Sequence, residues 1–337
     1  MVVETVEYQS SVDATGPLVA DVAFEPDGKS KPVVLLMPGY TDSRVRLSED
    51  IVEWGSRGIF AITPDMRGLG DSSGEFDSGG LDVHDAVDAI GAVAKLWPDE
   101  IDTTNCSAAG YSGGGGNVFS MAVRFPDTFK VIAPFFGISD YGAWYRSRRE
   151  AYGAIMDSAI GPPDEFPECY EARNATAAAG NNAVSYIHVF WDIEEESCPP
   201  FLNERFIEAY RAAGHSRVFP HISNPGDAIR WHHGYPSQFP ELREANDMIL
   251  ADVFRQENRP SLPERGELTV PGYLVTRHFS VWVEDGLRGR VKIAYDLTGD
   301  SPLVQVVENP GDWQVRIKKI AVSQRWPLHK QVVKLRA

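Results

Sequence analysis

The sequence predicts an α/β fold in which helices cover both faces of a mostly parallel central sheet. Continuous apolar runs are typical of strands buried on both faces, and they occur at 32–37, 59–64 and 131–136. Stretches with helical periodicity lie between these runs. The chain has 337 residues and is 43% hydrophobic, which is enough for one large domain and a small module.

The first third of the chain supplies the start of this sheet. Residues 1–30 alternate weakly and predict one or two antiparallel edge strands. A strand at 32–37, a helix at 46–58 and a strand at 59–64 follow. Residues 81–97 then have the apolar spacing of a helix, and we expect Asp82, Asp85 and Asp88 to form its solvated face.

The middle of the chain interrupts the alternation before resuming it. Residues 139–183 are rich in aromatic residues and arginines, and we expect them to form a cap over a site. A strand at 186–191, a helix at 201–213, a strand at 217–222 and a closing helix at 240–254 complete a large domain at 1–258.

The last part of the chain has a different character. After the Pro-rich linker, short alternating runs separated by Gly, Asp and Pro predict an antiparallel β-rich module at 262–337. The runs lie at 272–276, 279–283, 290–295, 303–307 and 313–320. No set of catalytic residues is visible in it, so we expect an accessory role, with contact to a glycan or an oligomeric partner as one option.

The Gly-Tyr-Ser-Gly-Gly stretch at 110–114 carries the strongest chemical signal. It follows a small, apolar run and precedes a predicted helix at 118–123, which is the context of a serine held on a tight strand-to-helix turn. We therefore predict Ser112 as a nucleophile and the backbone N–H of Gly113 as an oxyanion donor. A second Gly-x-Ser-x-Gly match places Ser72 in a Gly/Asp/Ser cluster, which is typical of a loop.

The turn at 38–42 follows a predicted central strand. Ligands in α/β sheets bind at the carboxyl ends of the strands, so the backbone N–H of Tyr40 is the predicted second oxyanion donor. The ring of Tyr40 could also line the pocket.

Several segments together resemble a known superfamily. They are 38–40, 65–68, 110–114, 125–130, 161–170 and Glu195 with Cys198-Pro199. Over about residues 30–255 the chain resembles the α/β-hydrolase superfamily, and more narrowly the catalytic domain of prolyl-oligopeptidase-type hydrolases and related esterases. The resemblance implies an α/β-hydrolase fold. Residues 38–41 are also similar to the oxyanion loop of cutinase-type polyester hydrolases.

A serine nucleophile needs an imidazole to take its proton and an acid to orient that imidazole. In this fold the acid and then the histidine follow the serine along the chain. The acid candidates after the strand at 186–191 are Asp192, Glu194, Glu195 and Glu196, and the histidine candidates are His221, His232 and His233.

The resemblance narrows this choice. Related hydrolases carry the acid four residues before a proline, which favours Glu195, with Asp192 as the alternative. They also place a glycine directly after the histidine, which favours His233 over His232.

We therefore expect a serine hydrolase, in the first place a carboxylic ester hydrolase acting on a small or polymeric ester. Only about 30 residues precede the first central strand. The resemblance implies a β-propeller there in the peptidases, so the sequence favours an esterase. The alternatives are a prolyl-oligopeptidase-like peptidase on short peptides, and a binding protein on a hydrolase scaffold.

Composition excludes other classes of partner. The net charge is −16, from 32 Lys and Arg against 48 Asp and Glu, which argues against nucleic acid and anionic membranes. Without an evident signal peptide or membrane span, we expect a cytoplasmic protein. The three cysteines Cys106, Cys169 and Cys198 favour buried free thiols, and no spacing indicates a metal or a cofactor.

Overall fold

The computed structural model describes residues 1–255, 259–320 and 333–336. Its centre is a large sheet in which six neighbouring strands run parallel and the strands before them run antiparallel. The first eight strands are β1 (Val2–Tyr8), β2 (Leu18–Phe24), β3 (Lys31–Met37), β4 (Phe60–Pro64), β5 (Ile101–Tyr111), β6 (Phe129–Phe135), β7 (Tyr186–Asp192) and β8 (Val218–Ser223). They lie in the order β1-β2-β4-β3-β5-β6-β7-β8.

The predicted apolar runs form the inner strands of this sheet. Every residue of β4, β6 and β7 is buried, as expected for strands covered on both faces. One expectation was wrong. Strand β2 does not lie at an edge, because it pairs with β1 on one side and with β4 on the other.

Helices cover the sheet in two layers. They are α1 (Ser48–Ser56), α2 (Asp82–Leu96), α3 (Gly113–Arg124), α4 (Tyr141–Ala159), α5 (Pro167–Glu171), α6 (Phe201–Ala212) and α7 (Arg243–Val253), with short 3-10 helices at Arg44–Leu47, Thr176–Asn181 and Pro240–Leu242. Apolar residues of α2, α3 and α6 pack in one core and those of α1 and α7 in another. The predicted α/β-hydrolase fold is confirmed. Among the described residues, no helix is both long and apolar enough to cross a bilayer.

The carboxylates of α2 contradict the expectation of a solvated face. Asp82, Asp85 and Asp88 are only 1–2% exposed. Arg67 donates to both oxygens of Asp85 at 2.7 and 2.9 Å, and the backbone N–H and hydroxyl of Ser11 donate to Asp88. The N-terminal segment and the loop after β4 therefore cover this helix face with partners for its charges.

A β-rich module follows the helices, as predicted. Its strands are β9 (Arg265–Pro271), β10 (Tyr273–Val275), β11 (Phe279–Val283), β12 (Arg290–Asp296), β13 (Leu303–Glu308) and β14 (Val315–Lys319). They form two antiparallel sheets, β10-β11-β14 and β13-β12-β9. The prediction missed β9, in which the apolar Leu268 and Val270 alternate with polar residues over too short a span to stand out.

The module is not separate from the rest of the chain. Tyr273, Val275 and Trp282 pack into the same apolar core as α2 and α3. A last strand, β15 (Lys334–Leu335), pairs antiparallel with β1 and becomes the ninth strand of the central sheet. The predicted domain end at residue 258 lies outside the described residues, and the proposed glycan or oligomer contact stays a prediction.

One buried arginine joins the module to the α3 helix. Arg124, at the end of α3, is 1% exposed. Its guanidinium donates to the carbonyls of residues 79–80 at 2.9 and 3.0 Å, of Ala172 at 2.5 Å and of Pro271 at 3.2 Å, and it lies 4.5 Å from the ring centroid of Tyr273. Four chain segments thus meet at one cation.

We expect Arg124→Met to lower the free energy of unfolding by at least about 3 kcal/mol. Several buried carbonyls would lose their donor, at about 1–3 kcal/mol for each buried group left unpaired. Urea unfolding followed by circular dichroism measures the change. The control Arg211→Met alters an exposed arginine of α6 and should change it by less than about 0.5 kcal/mol. Equal effects of the two substitutions would show that Arg124 does not join the segments.

Candidate active site

Ser112 stands on a strained turn between β5 and α3. Its backbone has φ 57° and ψ −118°, a region that residues with a side chain rarely adopt. The turn is possible because its neighbours are glycines. A Cβ on Gly110 would lie 2.3 Å from the carbonyl oxygen of Gly114, and one on Gly114 would lie 2.2 Å from that of Met37. This is the geometry of a nucleophile elbow.

The helix after the elbow begins earlier than the predicted 118–123. It starts at Gly113, directly after the serine. Glycines are unfavourable in a helix, but they are required here because the close backbone contacts leave no room for side chains. The second Gly-x-Ser-x-Gly match has a structural role: Ser72 is buried, and its hydroxyl accepts the N–H of Val19 at 2.9 Å.

The loop after β3 lies against the start of α3. A Cβ on Gly113 would fall 2.6 Å from the backbone nitrogen of Tyr40. The two predicted oxyanion donors, the N–H groups of Tyr40 and Gly113, therefore belong to backbone segments in direct contact. This proximity is what a shared oxyanion hole requires.

Glu195, in the loop after β7, contacts His233, in the loop after β8. Its Oε1 lies 3.0 Å from Nδ1 of His233 and accepts the N–H of Cys198 at 3.0 Å. Burial acts to raise the pKa of this carboxyl, but the hydrogen bonds from His233 and from the backbone of Cys198 outweigh it and lower the pKa. Glu195 is therefore ionised and 8% exposed beside the imidazole.

Asp192, the alternative acid, has other partners. Arg230 donates to both of its oxygens at 2.8 and 2.5 Å, and the Ser223 hydroxyl donates to it at 2.6 Å. Burial acts to raise the pKa of Asp192, but these donors outweigh it and lower the pKa to about 2. Glu194 and Glu196 are exposed, and Glu194 accepts a bond from Arg230.

The ring of His233 packs on the segment that binds the backbone of Ser112. Its ring centroid is 4.6 Å from that of Phe136. The neighbouring Phe135 carbonyl accepts the backbone N–H of Ser112 at 3.0 Å. The acid and histidine loops together line a cavity of about 340 Å³. Glu195 and His233 are in contact, and Ser112, at the carboxyl end of β5, is linked to them through Cys198 and through the Phe135-Phe136 segment.

The other histidine candidates have other partners, although His232 lines the same cavity as His233. His232 is 3.7 Å from Glu241. His221 contacts His188 at 3.0 Å, and His188 contacts Asp252 at 2.8 Å. Burial lowers the pKa of His221 to about 4, which leaves it neutral in this cluster near pH 7.

Two residues near the serine escaped the sequence-based prediction. The thiol of Cys198 lies 3.7 Å from the Ser112 hydroxyl, and burial raises its pKa, so it is neutral. Tyr235 accepts the N–H of Gly39 at 2.7 Å and donates to Asp42 at 2.5 Å. Tyr235 lies two residues after His233, but no motif indicates that its hydroxyl reaches the oxyanion loop.

Aromatic rings form a wall beside the oxyanion loop. The Tyr40 ring centroid lies 5.2 Å from that of Phe76, 5.0 Å from that of Trp144 and 6.1 Å from that of Tyr152. Trp144 and Tyr152 come from α4, within the predicted cap at 139–183. Among the described residues, no group of three His, Cys, Asp or Glu side chains could hold a metal.

One known family matches part of the chain. Residues 16–159 match the family described as X-Pro dipeptidyl-peptidase (S15 family). This segment contains Tyr40 and Ser112 but ends before Glu195 and His233. No curated protein matches the sequence.

Solved structures of peptidases share the fold. A puromycin hydrolase has a TM-score of 0.62 at 23% identity, over 75% of this chain and 39% of that chain. A Mycobacterium tuberculosis puromycin-hydrolyzing peptidase has a TM-score of 0.61 at 22% identity, over 76% of this chain and 40% of that chain. Pyrococcus horikoshii acylaminoacyl peptidase has a TM-score of 0.59 at 19% identity, over 78% of this chain and 43% of that chain. This chain therefore spans about two fifths of their length, and the likeness is one of fold.

These findings confirm the resemblance to the α/β-hydrolase superfamily and to prolyl-oligopeptidase-type hydrolases. They support the class of serine hydrolase that the sequence predicted.

We expect Tyr235→Phe to lower kcat about tenfold with KM nearly unchanged. The N–H of Gly39 would lose its acceptor, and the loop that carries the Tyr40 N–H would no longer be fixed. Loss of an oxyanion donor itself costs about 10²–10³ in kcat, so an indirect effect should be smaller. Steady-state kinetics on a chromogenic substrate measures the change.

The control for this substitution is Tyr8→Phe. The Tyr8 hydroxyl is buried and has no hydrogen-bond partner among the described residues, so its removal should leave kcat unchanged. A purely structural role of Tyr235 would instead lower stability with kcat retained, and that result would contradict the positioning role.

Proposed function

We propose that this chain is a serine peptidase acting on short peptides, with Ser112, His233 and Glu195 as its catalytic triad. The observation that carries the proposal is the 3.0 Å contact between Glu195 and His233 at the sheet edge where Ser112 stands on its strained turn. The peptidase names of the matched family and of the structural neighbours support peptides over esters as substrates.

In the proposed first step, the Ser112 hydroxyl attacks the carbonyl carbon of the scissile bond. Because Nδ1 of His233 is bound to Glu195, Nε2 is the nitrogen available to accept the serine proton. The ionised Glu195 stabilises the imidazolium that forms and holds its orientation. The Cys198 N–H, bound to the same carboxylate oxygen, keeps the acid in place.

The negative charge that forms on the carbonyl oxygen needs donors. The backbone N–H groups of Tyr40 and Gly113 are proposed to supply them, and Tyr235 fixes the loop of the first. The tetrahedral intermediate then collapses, and His233 gives its proton to the leaving amine. Water, activated by His233, hydrolyses the acyl-enzyme and restores the Ser112 hydroxyl.

Ester hydrolysis is the weaker proposal. The same groups can cleave an ester, so the site chemistry alone does not separate the two activities. The short segment before β3 does not favour an esterase, since the chain covers only 39–43% of the neighbours' chains. The similarity of 38–41 to cutinase-type loops remains the feature that favours an ester.

We expect Glu195→Gln to lower kcat by about 10²–10⁴. A neutral amide cannot stabilise the imidazolium and can hold the ring in the wrong tautomer. The matched Asp192→Asn variant removes a carboxylate from the same loop, but one bound to Arg230, and should lower kcat less than tenfold. Kinetics of the two variants, with circular dichroism to confirm folding, decides between them. A larger loss in Asp192→Asn would reverse the assignment of the acid.

We expect Ser112→Ala to lower turnover of aminoacyl p-nitroanilides by at least about 10³, because the acyl-enzyme can no longer form. The wild type and the variant are assayed in parallel on these amides and on p-nitrophenyl esters. Serine-dependent turnover of the amides supports a peptidase. Serine-dependent turnover of esters alone would establish the esterase, and activity that survives in Ser112→Ala would contradict the mechanism.

A further inference from the structure

Helix α4 bends at Arg148, next to the aromatic wall. Arg148 has φ −127° and ψ 24°, outside the helical range, and the helix continues on both sides of it. The residues before the bend are mostly buried, whereas Arg146 and Arg149 are exposed. Arg148 itself is half-buried. The bend therefore lies where the helix passes from the protein interior to its surface.

The face of α4 that carries Arg148 borders the nucleophile. Trp144 and Tyr152, one turn to either side, have ring centroids only 4.6 Å apart. Nε1 of Trp144 donates to the carbonyl of Ser197 at 2.8 Å. The next residue, Cys198, has its thiol 3.7 Å from the Ser112 hydroxyl.

The positive charge of Arg148 acts on this thiol. Burial has the largest effect on the pKa of Cys198 and raises it, Glu195 raises it further, and the positive charge of Arg148 acts in the opposite direction. The Nε of Arg148 is buried and has no hydrogen-bond partner among the described residues. A buried donor without an acceptor is costly, and a bound ligand can supply one.

Other buried arginines differ in this respect. Arg67 and Arg44 are paired with carboxylates, and Arg173 donates to several backbone carbonyls. Their role in holding chain segments together is evident from these partners. Among the described residues, the Nε of Arg148 has no such partner, and Trp144 and Tyr152, one turn to either side of it, pack against the ring of Tyr40.

We propose that Arg148 is a specificity residue that binds a carboxylate of the substrate. The inference rests on the proposed function, and it adds the class of substrate: a short peptide or acyl compound with a carboxylate near the scissile bond. The planar guanidinium binds a carboxylate through two parallel hydrogen bonds. The rings of Trp144 and Tyr152 reduce the access of water and strengthen such a pair. A substrate ammonium group would be repelled at this position.

Two pairs of substrates test the proposal. Succinyl-alanine p-nitroanilide and its succinamoyl analogue differ only in a carboxylate on the acyl side. A dipeptide and its C-terminal amide differ only in a carboxylate on the leaving side. In the wild type, we expect kcat/KM to be about 10- to 100-fold higher for the substrate with the carboxylate in one of the two pairs, which is the size of effect that charge-assisted hydrogen bonds give. The pair that shows the preference identifies the side of the scissile bond that Arg148 serves.

Arg148→Gln should abolish this preference through KM and leave turnover of the neutral member within about threefold, since Arg148 does not take part in the proton transfers. Arg148→Lys keeps the charge without the fork and should retain part of the preference. Arg146→Gln removes the same charge from an exposed position of the same helix and should retain all of it. Thermal unfolding checks that each variant is folded.

The outcomes separate this inference from the proposed function. Serine-dependent turnover of the neutral members without a carboxylate preference, or a preference that survives Arg148→Gln, would overturn the role of Arg148 alone. No serine-dependent turnover of any of the four substrates would overturn both. Loss of the preference in Arg148→Gln but not in Arg146→Gln would support the inference.

Discussion

The site depends on the close contact of two backbone segments at the start of α3. Gly113 and Gly114 lie against Met37 and Tyr40 at distances that no side chain would allow. This contact fixes the positive φ of Ser112, a conformation that costs on the order of 1–3 kcal/mol and persists only where its surroundings hold it. It also brings together the two N–H groups proposed as oxyanion donors. The same contact thus fixes the backbone of the proposed nucleophile and the position of the N–H groups proposed to stabilise the oxyanion.

The charged residues around the histidine divide into two pairs. Arg230 binds Asp192, and three residues later His233 contacts Glu195. The same two loops are therefore joined twice, once by an ion pair and once by the proposed catalytic contact. Arg230 also binds Glu194, whereas Glu195 accepts its bonds from His233 and from the N–H of Cys198. The two nearby acids therefore have different partners, which is the basis for proposing different roles for them.

Much of this arrangement follows from patterns within short stretches of sequence. The apolar runs indicated β3, β4 and β6, since strands buried on both faces carry apolar residues at nearly every position. The small residues of 110–114 indicated the elbow, because only they fit it. The candidate acids and histidines followed from chain order and from the resemblance, and their assignment to roles remains a proposal.

What could not be predicted depends on contacts between distant segments. Asp82, Asp85 and Asp88 have the spacing of an exposed helix face, and only the fold brings Arg67 and Ser11 onto them. The hydroxyl of Tyr235 reaches Gly39 across 196 positions of the chain. The short strand β15 joins β1 only because the chain returns to the central sheet. Local patterns contain no information on such pairings.

Helix α3 links the β-rich module to the chemistry. Its first residue follows Ser112, and its last, Arg124, binds carbonyls on both sides of the boundary between the large domain and the module. A helix of 12 residues is about 18 Å long and stiff, so fixing its far end limits movement of the turn at its start. Tyr273 and Trp282 pack into the same core as this helix. The module therefore holds α3, the helix that begins directly after Ser112.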